Sequence, residues 1–267
     1  MYALNYVRVK SLKEAGEVLA SNPEAKLLAG GMTLLPTLKA RLAKPSHLVD
    51  IAQLPELRGI KALKGRLEIG AATNHHEVAT SAVVRKAIPA LAYLAGLIGD
   101  PQVRNMGTIG GSVANNDPAA DYPAAVLGLG ATVVTSKRAI AADEYFQGLF
   151  ATVLEEGEII VRIAFPVPRR AAYAKFPHPA SGYAMAGVFV ALTGGGVRVA
   201  VTGAGPGVFR WKAAEAALAK GLKPAAIDGA ALDAADLNED IHATREYRAN
   251  LVRVMTKRAL AKLSSKK

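Results

Sequence analysis

The amino-acid sequence predicts an α+β protein made of two α/β subdomains and a C-terminal domain with a small antiparallel sheet and helices. In the N-terminal part, short apolar runs alternate with helical patterns, as is typical of α/β units. Farther on, two longer apolar runs flank Gly194-Gly195-Gly196, which indicates an antiparallel hairpin. We predict subdomains at residues 1–55 and 56–168 and a C-terminal domain at 169–267.

The first subdomain begins with a strand at Tyr6–Lys10. Ser11 and Glu14 have the spacing of a capping box, which predicts a helix that ends at Asn22-Pro23. The remaining predicted elements are a strand at 25–29, a helix from Leu34 to about Leu42 and a strand at 47–51.

In the second subdomain, Lys64-Gly65 predicts the turn of a hairpin and Asn74 predicts a capped helix start. We also expect a helix at 83–98 with a junction at Pro89 and a short helix at 122–129. Strands are expected at 131–135 and 158–165, before a linker at 166–170. The vicinal pair His75-His76 suggests a metal site, but neighbouring helical residues face different ways. We therefore predict that this pair serves in capping and surface hydration.

The C-terminal domain is predicted to contain strands at 183–193 and 197–203 and helices at 211–220 and about 243–262. The chain has a net charge of +11, and eight basic residues but only one acid, Glu246, lie between Arg245 and Lys267. Apolar residues at helical spacing underlie these charges (Tyr247, Leu251, Val254, Met255, Ala259). This pattern predicts an amphipathic helix with an acidic protein partner. Nucleic acid is disfavoured, because no aromatic residues interleave with the charges.

The composition excludes several classes of chemistry. The chain has no cysteine, so it has no disulfide, thiolate nucleophile or iron–sulfur cluster of its own. Its histidines are scattered (His47, His75, His76, His178, His242), and no Ser–His–Asp or paired-carboxylate motif stands out. No signal peptide or membrane-spanning run is evident, so we expect a cytoplasmic location.

Two glycine-rich stretches remain as candidate functional sites. The first is Ala29–Pro36, where Gly30-Gly31 stand between a predicted strand and a predicted helix start. The second is Gly107–Pro123, rich in glycine, asparagine, aspartate and proline, which predicts a long loop. Exposed N–H groups in such turns form an anion-attracting concave surface. Neither stretch is a G-x-G-x-x-G or P-loop motif. A surface turn remains the alternative for Gly110-Gly111 alone.

Together the two stretches resemble the flavoprotein (medium) subunit of molybdenum hydroxylases, the family of carbon monoxide dehydrogenase and xanthine dehydrogenase. The usual family pattern is Ala-Gly-Gly-(Gln/His)-Ser-Leu-Leu-Pro, followed by Thr-Ile-Gly-Gly-(Asn/Ser) and then Ala-Asp-Pro-Ala-Ala-Asp. The resemblance covers essentially the whole chain. It implies an FAD-binding domain of the PCMH type, with FAD held between two subdomains, and a C-terminal domain.

The resemblance also implies roles for individual residues. The segments 29–33 and 108–112 are similar to the two loops on the FAD pyrophosphate; their predicted contact residues are Ala29, Gly30, Gly31, Met32, Thr33, Thr108, Gly110, Gly111 and Ser112. Asp121 resembles a flavin-contacting carboxylate, with a helix cap as the alternative. Ile160 corresponds to a backbone contact of the cofactor. Tyr183 corresponds to an aromatic residue beside the isoalloxazine, or else packs inward from a strand. Met32 departs from the usual Gln or His, and Asn116 from the usual Ala.

The function implied by the resemblance is electron transfer within a heteromeric molybdenum enzyme. FAD would take electrons from [2Fe–2S] clusters on a small subunit, which receives them from a molybdopterin cofactor on a large subunit, and would pass them to an external acceptor. A dimer of heterotrimers is expected. Two alternatives are a stand-alone FAD-dependent oxidase of the vanillyl-alcohol-oxidase type, for which the chain is short, and a basic non-catalytic binding module.

Overall fold

The N-terminal part forms a small parallel sheet with helices beside it. The structure, a computed structural model, describes residues 1–264 of the chain. Its first elements are the strands β1 (Asn5–Arg8), β2 (Lys26–Leu28) and β3 (His47–Asp50) and the helices α1 (Leu12–Ser21) and α2 (Leu34–Lys39). The strands lie in the order β1-β3-β2, and both pairs are parallel. The predicted alternation of strands and helices is confirmed here.

Local signals explain where these two helices begin and end. Ser11 caps α1, because its hydroxyl accepts from the Glu14 N–H at 3.1 Å. The second half of the predicted capping box is wrong: the Glu14 carboxylate accepts from the N–H of Lys10, not from that of Ser11. Arg41 has a φ of 61°, a left-handed conformation that ends helices. Helix α2 therefore ends before the predicted Leu42.

A five-stranded antiparallel sheet and a group of short helices form the central part. The order of the sheet is β4-β5-β10-β6-β7. The strands of this part are β4 (Ile60–Leu63), β5 (Arg66–Gly70), β6 (Thr132–Thr135), β7 (Ala139–Ala141), β8 (Phe146–Gly148), β9 (Ala151–Thr152) and β10 (Ile160–Pro166). The helices are α3 (His75–Thr80), α4 (Ala82–Ala87), α5 (Pro89–Gly96), α6 (Pro101–Met106), α7 (Ile109–Asn115), α8 (Tyr122–Leu129) and α9 (Ala142–Tyr145). The hairpin at Lys64-Gly65 and the helix junction at Pro89 are confirmed.

The stretch from Gly107 to Pro123 is not the long loop that its composition predicted. Helix α7 occupies its centre, with Thr108 as the N-cap. Asn116 ends α7 in a left-handed conformation, with a φ of 45°. Its side-chain amide donates to the carbonyls of Gly148 and Ala151 at 2.8 and 2.7 Å. Asn116 therefore fastens the β8–β9 hairpin, a structural role for a residue that departs from the family pattern.

The C-terminal part is a four-stranded antiparallel sheet covered by two helices. Its elements are β11 (Arg170–Pro177), β12 (Ala184–Thr193), β13 (Gly196–Thr202), β14 (Phe209–Arg210), α10 (Lys212–Leu218) and α11 (Arg245–Ser264). The sheet order is β11-β12-β13-β14, and the hairpin at the glycine triplet is confirmed. Strand β11 was not predicted, because its alanine-rich sequence has low strand propensity.

The basic C-terminal helix is bound to its own domain more closely than predicted. Leu251, Met255 and Ala259 are buried as expected, whereas Tyr247 is 44% exposed. Arg248, predicted for the polar face, is only 4% exposed; its guanidinium donates to two carbonyl oxygens and pairs with Asp240. The last predicted cations, Lys266 and Lys267, lie outside the described residues.

Three apolar clusters fill the molecule. One lies under the helices of the central sheet, and one lies between the C-terminal sheet and its two helices. The third belongs to the N-terminal sheet but also includes Leu57, Ala72 and Ile159 from the central part. This shared cluster holds the N-terminal and central parts together on one side of a cleft. Among residues 1–264, no helix has the length and apolarity needed to cross a membrane.

Candidate functional site

A cleft of about 890 Å³ lies where the three parts of the chain meet. It is lined by the segment 26–34 from the first part, by the start of α7 and Ile160 from the second, and by residues 180–183 from the third. This volume is near the top of the range of about 300–1,000 Å³ for small-molecule and cofactor sites. All twelve residues predicted for the cofactor site line the cleft (Ala29, Gly30, Gly31, Met32, Thr33, Thr108, Gly110, Gly111, Ser112, Asp121, Ile160, Tyr183).

The first glycine stretch presents free donors to this cleft. Within residues 1–264, the backbone N–H groups of Gly30, Gly31, Met32 and Thr33 have no hydrogen-bond acceptor. Gly31 has a φ of 71°, a conformation that favours glycine. Thr33 precedes α2, and its hydroxyl makes no cap hydrogen bond. Backbone donors left free beside a cleft are suited to an anionic group such as a phosphate.

The second stretch differs, because its backbone donors are already used. The N–H groups of Ile109 and Gly110 donate to the carbonyls of Thr73 and Ala71 at 3.1 and 2.8 Å. The Gly111 N–H donates to the Thr108 hydroxyl at 3.1 Å. Gly110 is buried, and a Cβ at this position would lie 2.5 Å from the Cβ of Ala71. Its glycine is therefore required for close packing of α7 on the chain after β5.

The two stretches touch each other at Gly30. A Cβ on Gly30 would lie 2.2 Å from the Met106 carbonyl oxygen and 2.7 Å from the Cα of Gly107. A Cβ on Gly107 would in turn lie 2.6 Å from Nε2 of His75. The backbone of Gly30, the backbone of Gly107 and the ring of His75 are thus packed in direct contact, with no side chain between them. This junction fixes the distance between the two sides of the cleft.

Asp121 is a buried carboxylate held by two side chains of β11. The Tyr173 hydroxyl donates to its Oδ1 at 2.5 Å, and the Lys175 Nζ donates to its Oδ2 at 2.9 Å. Burial raises the pKa of Asp121, although Lys175 and Tyr173 act in the opposite direction. Asp121 makes no side-chain hydrogen bond to the start of α8, so the alternative of a helix cap is wrong. The predicted flavin contact stays a prediction.

Tyr183 is placed as a cleft residue rather than a core residue. It precedes β12, and its side chain is 48% exposed, so the alternative of an inward-packing strand residue is wrong. Burial raises the pKa of its phenol, as do the carboxylates of Asp117 and Asp121. Ile160 also lines the cleft and is buried at the first position of β10. Met32 brings a half-exposed thioether to the cleft where the family usually has a polar side chain.

The prediction of a surface role is wrong for His75, which is 4% exposed and lines the cleft. Asn74 and Glu77 form the full capping box of α3, so the predicted cap is confirmed but belongs to Asn74. Burial lowers the pKa of His75 to about 4, with a smaller contribution from Arg104. The neighbouring His76 is exposed as predicted. A vicinal histidine pair gives no sequence signal for which ring is buried.

Glu158 is a second buried carboxylate at the cleft, and it is fully paired. It accepts from the Thr135 hydroxyl at 2.6 Å and from the Arg138 guanidinium at 3.1 Å. Its pKa falls to about 2, because these hydrogen bonds and the charge of Arg138 outweigh its burial. Glu158 therefore holds β10 to the turn after β6 and is unsuited to proton transfer. Among residues 1–264, no group of three metal-ligating side chains is present.

These features fit a bound dinucleotide such as FAD. Free backbone donors and the hydroxyls of Thr33 and Ser112 suit its phosphates, and an exposed aromatic ring at Tyr183 suits a planar ring system. The described residues include no cysteine thiol and no metal-ligating group of three side chains. The site can therefore hold and orient a cofactor that carries the reactive chemistry itself.

Comparison with known proteins identifies the same class. Residues 2–168 match the family model of the FAD binding domain in molybdopterin dehydrogenase. Residues 171–263 match that of the CO dehydrogenase flavoprotein C-terminal domain. The carbon monoxide dehydrogenase medium chain of Hydrogenophaga pseudoflava is 37% identical over 273 residues, which are 96% of this chain and 95% of that relative.

Solved structures of relatives share the fold of this chain over nearly its whole length. Carbon monoxide dehydrogenase from Hydrogenophaga pseudoflava, lacking the Mo-pyranopterin moiety, superimposes with a TM-score of 0.89 at 38% identity, covering 98% of this chain and 97% of that chain. Quinoline 2-oxidoreductase from Pseudomonas putida 86 gives a TM-score of 0.89 at 31% identity, with the same coverage. The relatives are dehydrogenase subunits, which supports neither alternative function. The predicted family is confirmed: this chain belongs to the FAD-binding medium subunits of the molybdenum hydroxylases.

Proposed function

We propose that the cleft holds FAD non-covalently, with its pyrophosphate beside the loop at Gly30–Thr33. The observation that carries this proposal is the set of four unpartnered backbone N–H groups in that loop, within a domain of an FAD-binding family. Thr108 and Ser112 also line the cleft and contribute hydroxyl groups. When bound, FAD supplies the electron-transfer chemistry, and the chain binds and orients it.

The ring end of the cofactor belongs at Tyr183, Ile160 and Asp121. Tyr183 offers an exposed ring, and Asp121 is fixed by Tyr173 and Lys175 at the cleft wall. Because both carboxylate oxygens already accept a hydrogen bond, any contact with the flavin uses a remaining lone pair of Asp121. The same network places a cation, Lys175, near the ring end.

The electrons reach this flavin from [2Fe–2S] clusters on a small partner subunit and leave to an external acceptor. A large subunit carries the molybdopterin cofactor, and the complex is a dimer of heterotrimers. The absence of cysteine supports this division, because the chain cannot ligate an iron–sulfur cluster through thiolates. The basic surface of α11 with Arg169 and Arg170 is the proposed face for the small subunit. Four of the cations of α11 already contact the chain itself (Arg245, Arg248, Lys257, Lys262), which leaves fewer for a partner.

Three experiments test these proposals. A visible spectrum of the purified chain shows flavin bands, and acid precipitation releases the yellow cofactor into the supernatant, if FAD is bound without a covalent link. A colourless protein that takes up no added FAD contradicts the proposal.

Co-expression with the small and large subunits followed by size exclusion tests the assembly, and a chain that elutes free of both, fully flavinated at low salt, contradicts it. Cell fractionation tests the cytoplasmic location that the sequence predicts.

A further inference from the structure

His75 is a buried polar side chain that the fold does not use. Its ring lies at the inner wall of the cleft, at the junction of the two glycine stretches. Within residues 1–264, its Nδ1 is buried and has no hydrogen-bond partner. Its ring packs on that of Tyr122 with centroids 5.3 Å apart. A buried N–H donor without an acceptor costs free energy, so this observation bears on which ring nitrogen carries the proton.

The tautomer of this ring follows from its surroundings. A neutral imidazole carries one N–H donor and one bare acceptor nitrogen. An unpartnered buried N–H is rarer than an under-satisfied acceptor. The proton therefore belongs on Nε2, and Nδ1 is the bare nitrogen. Nε2 is the atom that lies against Gly107, and Gly107 in turn packs against Gly30, where the loop with free donors begins.

We propose that His75 is a further FAD-contacting residue, which donates its Nε2–H to an oxygen of the cofactor pyrophosphate. This inference rests on the proposed function. His75 adds a side-chain donor to the backbone donors of Gly30–Thr33, at the junction of the two glycine stretches. The packing of His75 on Gly107 accounts for the glycine at that position, because a Cβ there would displace the imidazole edge.

The electrostatics of the site support this role. His75 is neutral at pH 7, because its pKa falls to about 4. A neutral donor does not repel Arg104, the nearby cation that contributes to this lowered pKa. A bound pyrophosphate brings negative charge next to the ring, which favours its protonated form. Binding of FAD is therefore expected to raise the pKa of His75.

The test is a titration of the full-length chain, alone and co-purified with its partner subunits, with FAD and with ADP. ADP carries the pyrophosphate without the flavin. His75→Leu removes both ring nitrogens. It is expected to lower the affinity for both ligands by roughly 10- to 100-fold, as for the loss of a hydrogen bond to a charged group. His75→Gln restores an N–H and should recover part of this loss. His76→Leu, at the exposed neighbour, is the matched control and should bind as the wild type does.

A measurement on the wild type keeps the proposal testable if His75→Leu does not fold. In protein with ¹⁵N-labelled histidine, the chemical shifts of the His75 ring nitrogens should report a proton on Nε2. The Nε2 resonance should change its chemical shift when ADP is added. Unchanged affinities in folded His75→Leu, or an Nε2 resonance that ADP leaves in place, overturns the assignment of His75 alone. Wild-type protein that binds no FAD overturns the proposed function instead.

Discussion

The two glycine pairs look equivalent in the sequence, yet they have different structural roles. Gly30-Gly31 stand in an open turn whose following N–H groups are free, and Gly31 needs its left-handed conformation. Gly110-Gly111 lie in the first turn of α7 with their N–H groups already bonded. One pair leaves donors for a ligand, whereas the other allows a helix to approach the chain behind it. A Gly-Gly motif therefore marks a close approach of backbone, but not what approaches it.

The largest effect is expected at Asp121, where the second stretch ends. Asp121→Ala leaves Lys175 buried without its partner, and its side chain is only 4% exposed. We expect a loss of about 3–5 kcal/mol in the free energy of unfolding. Chemical denaturation of the apoprotein measures this loss. A loss of only about 1 kcal/mol is the value for a helix cap and would contradict the buried ion pair.

Gly110→Ala is expected to cost less than this, but still a measurable amount, because the new Cβ meets the Cβ of Ala71 at 2.5 Å. Overpacking of this kind costs about 1–3 kcal/mol. Its neighbour provides the matched control: a Cβ at Gly111 meets only the Thr108 hydroxyl, at 2.9 Å. Gly111→Ala should therefore change the free energy of unfolding by less than about 1 kcal/mol. Equal losses of stability in the two variants would contradict the assignment of Gly110 to helix packing and of Gly111 to the cleft.

The stability of the apoprotein should depend on pH through His75, which touches the junction of the two stretches. Its pKa is about 4 in the folded chain, against 6.5 for an ordinary histidine. The unfolded state therefore binds the extra proton between these values, and stability is complete above pH 6.5 and decreases as the pH falls toward 4. The full difference corresponds to about 3 kcal/mol. In His75→Leu this part of the pH dependence should disappear, and a profile identical to that of the wild type would contradict it.

Gly31→Ala should have a smaller effect on stability. A non-glycine residue at its φ of 71° costs roughly 1–2 kcal/mol, and the Leu35 side chain must move slightly. Gly65→Ala is the control for conformational strain alone, since its φ is 72° and no other atom lies within 4 Å of its Cβ position. Both variants should lose similar stability, but only Gly31→Ala should also weaken FAD binding. Loss of binding in Gly65→Ala would contradict the assignment.

Much of the fold could be predicted from local signals, because hairpin glycines, caps and prolines act over a few residues. Helix α8 was predicted with the bounds Tyr122–Leu129 that the structure shows. Helix α7 was not predicted, because Gly110-Gly111 and Asn115-Asn116 are poor helix formers by propensity. Its stability comes from packing and from the Thr108 cap, and tertiary contacts of this kind are absent from a local pattern.

The site was predicted as a set of lining residues but not as a physical arrangement. Resemblance to a family located twelve of the residues that line the cleft. The sequence did not show that Tyr173 and Lys175 hold Asp121, because they lie more than 50 positions away. It also did not show that His75 is buried and His76 exposed, since both follow the same cap. Pairings distant in sequence depend on how the three parts of the chain are packed together.

The most direct test of the central claim, that FAD lies between the two stretches, is a titration of apoprotein Gly111→Val with FAD. Gly111 lines the cleft, so a branched side chain there takes up ligand space, and the Thr108 hydroxyl, 2.9 Å from the Cβ position, has to move. Gly194→Val is the control, because no other atom lies within 4 Å of that Cβ position. We expect the FAD affinity of Gly111→Val to fall by about tenfold or more, a change of about 1.4 kcal/mol, and that of Gly194→Val to stay at the wild-type value. An unchanged affinity in folded Gly111→Val would contradict the claim.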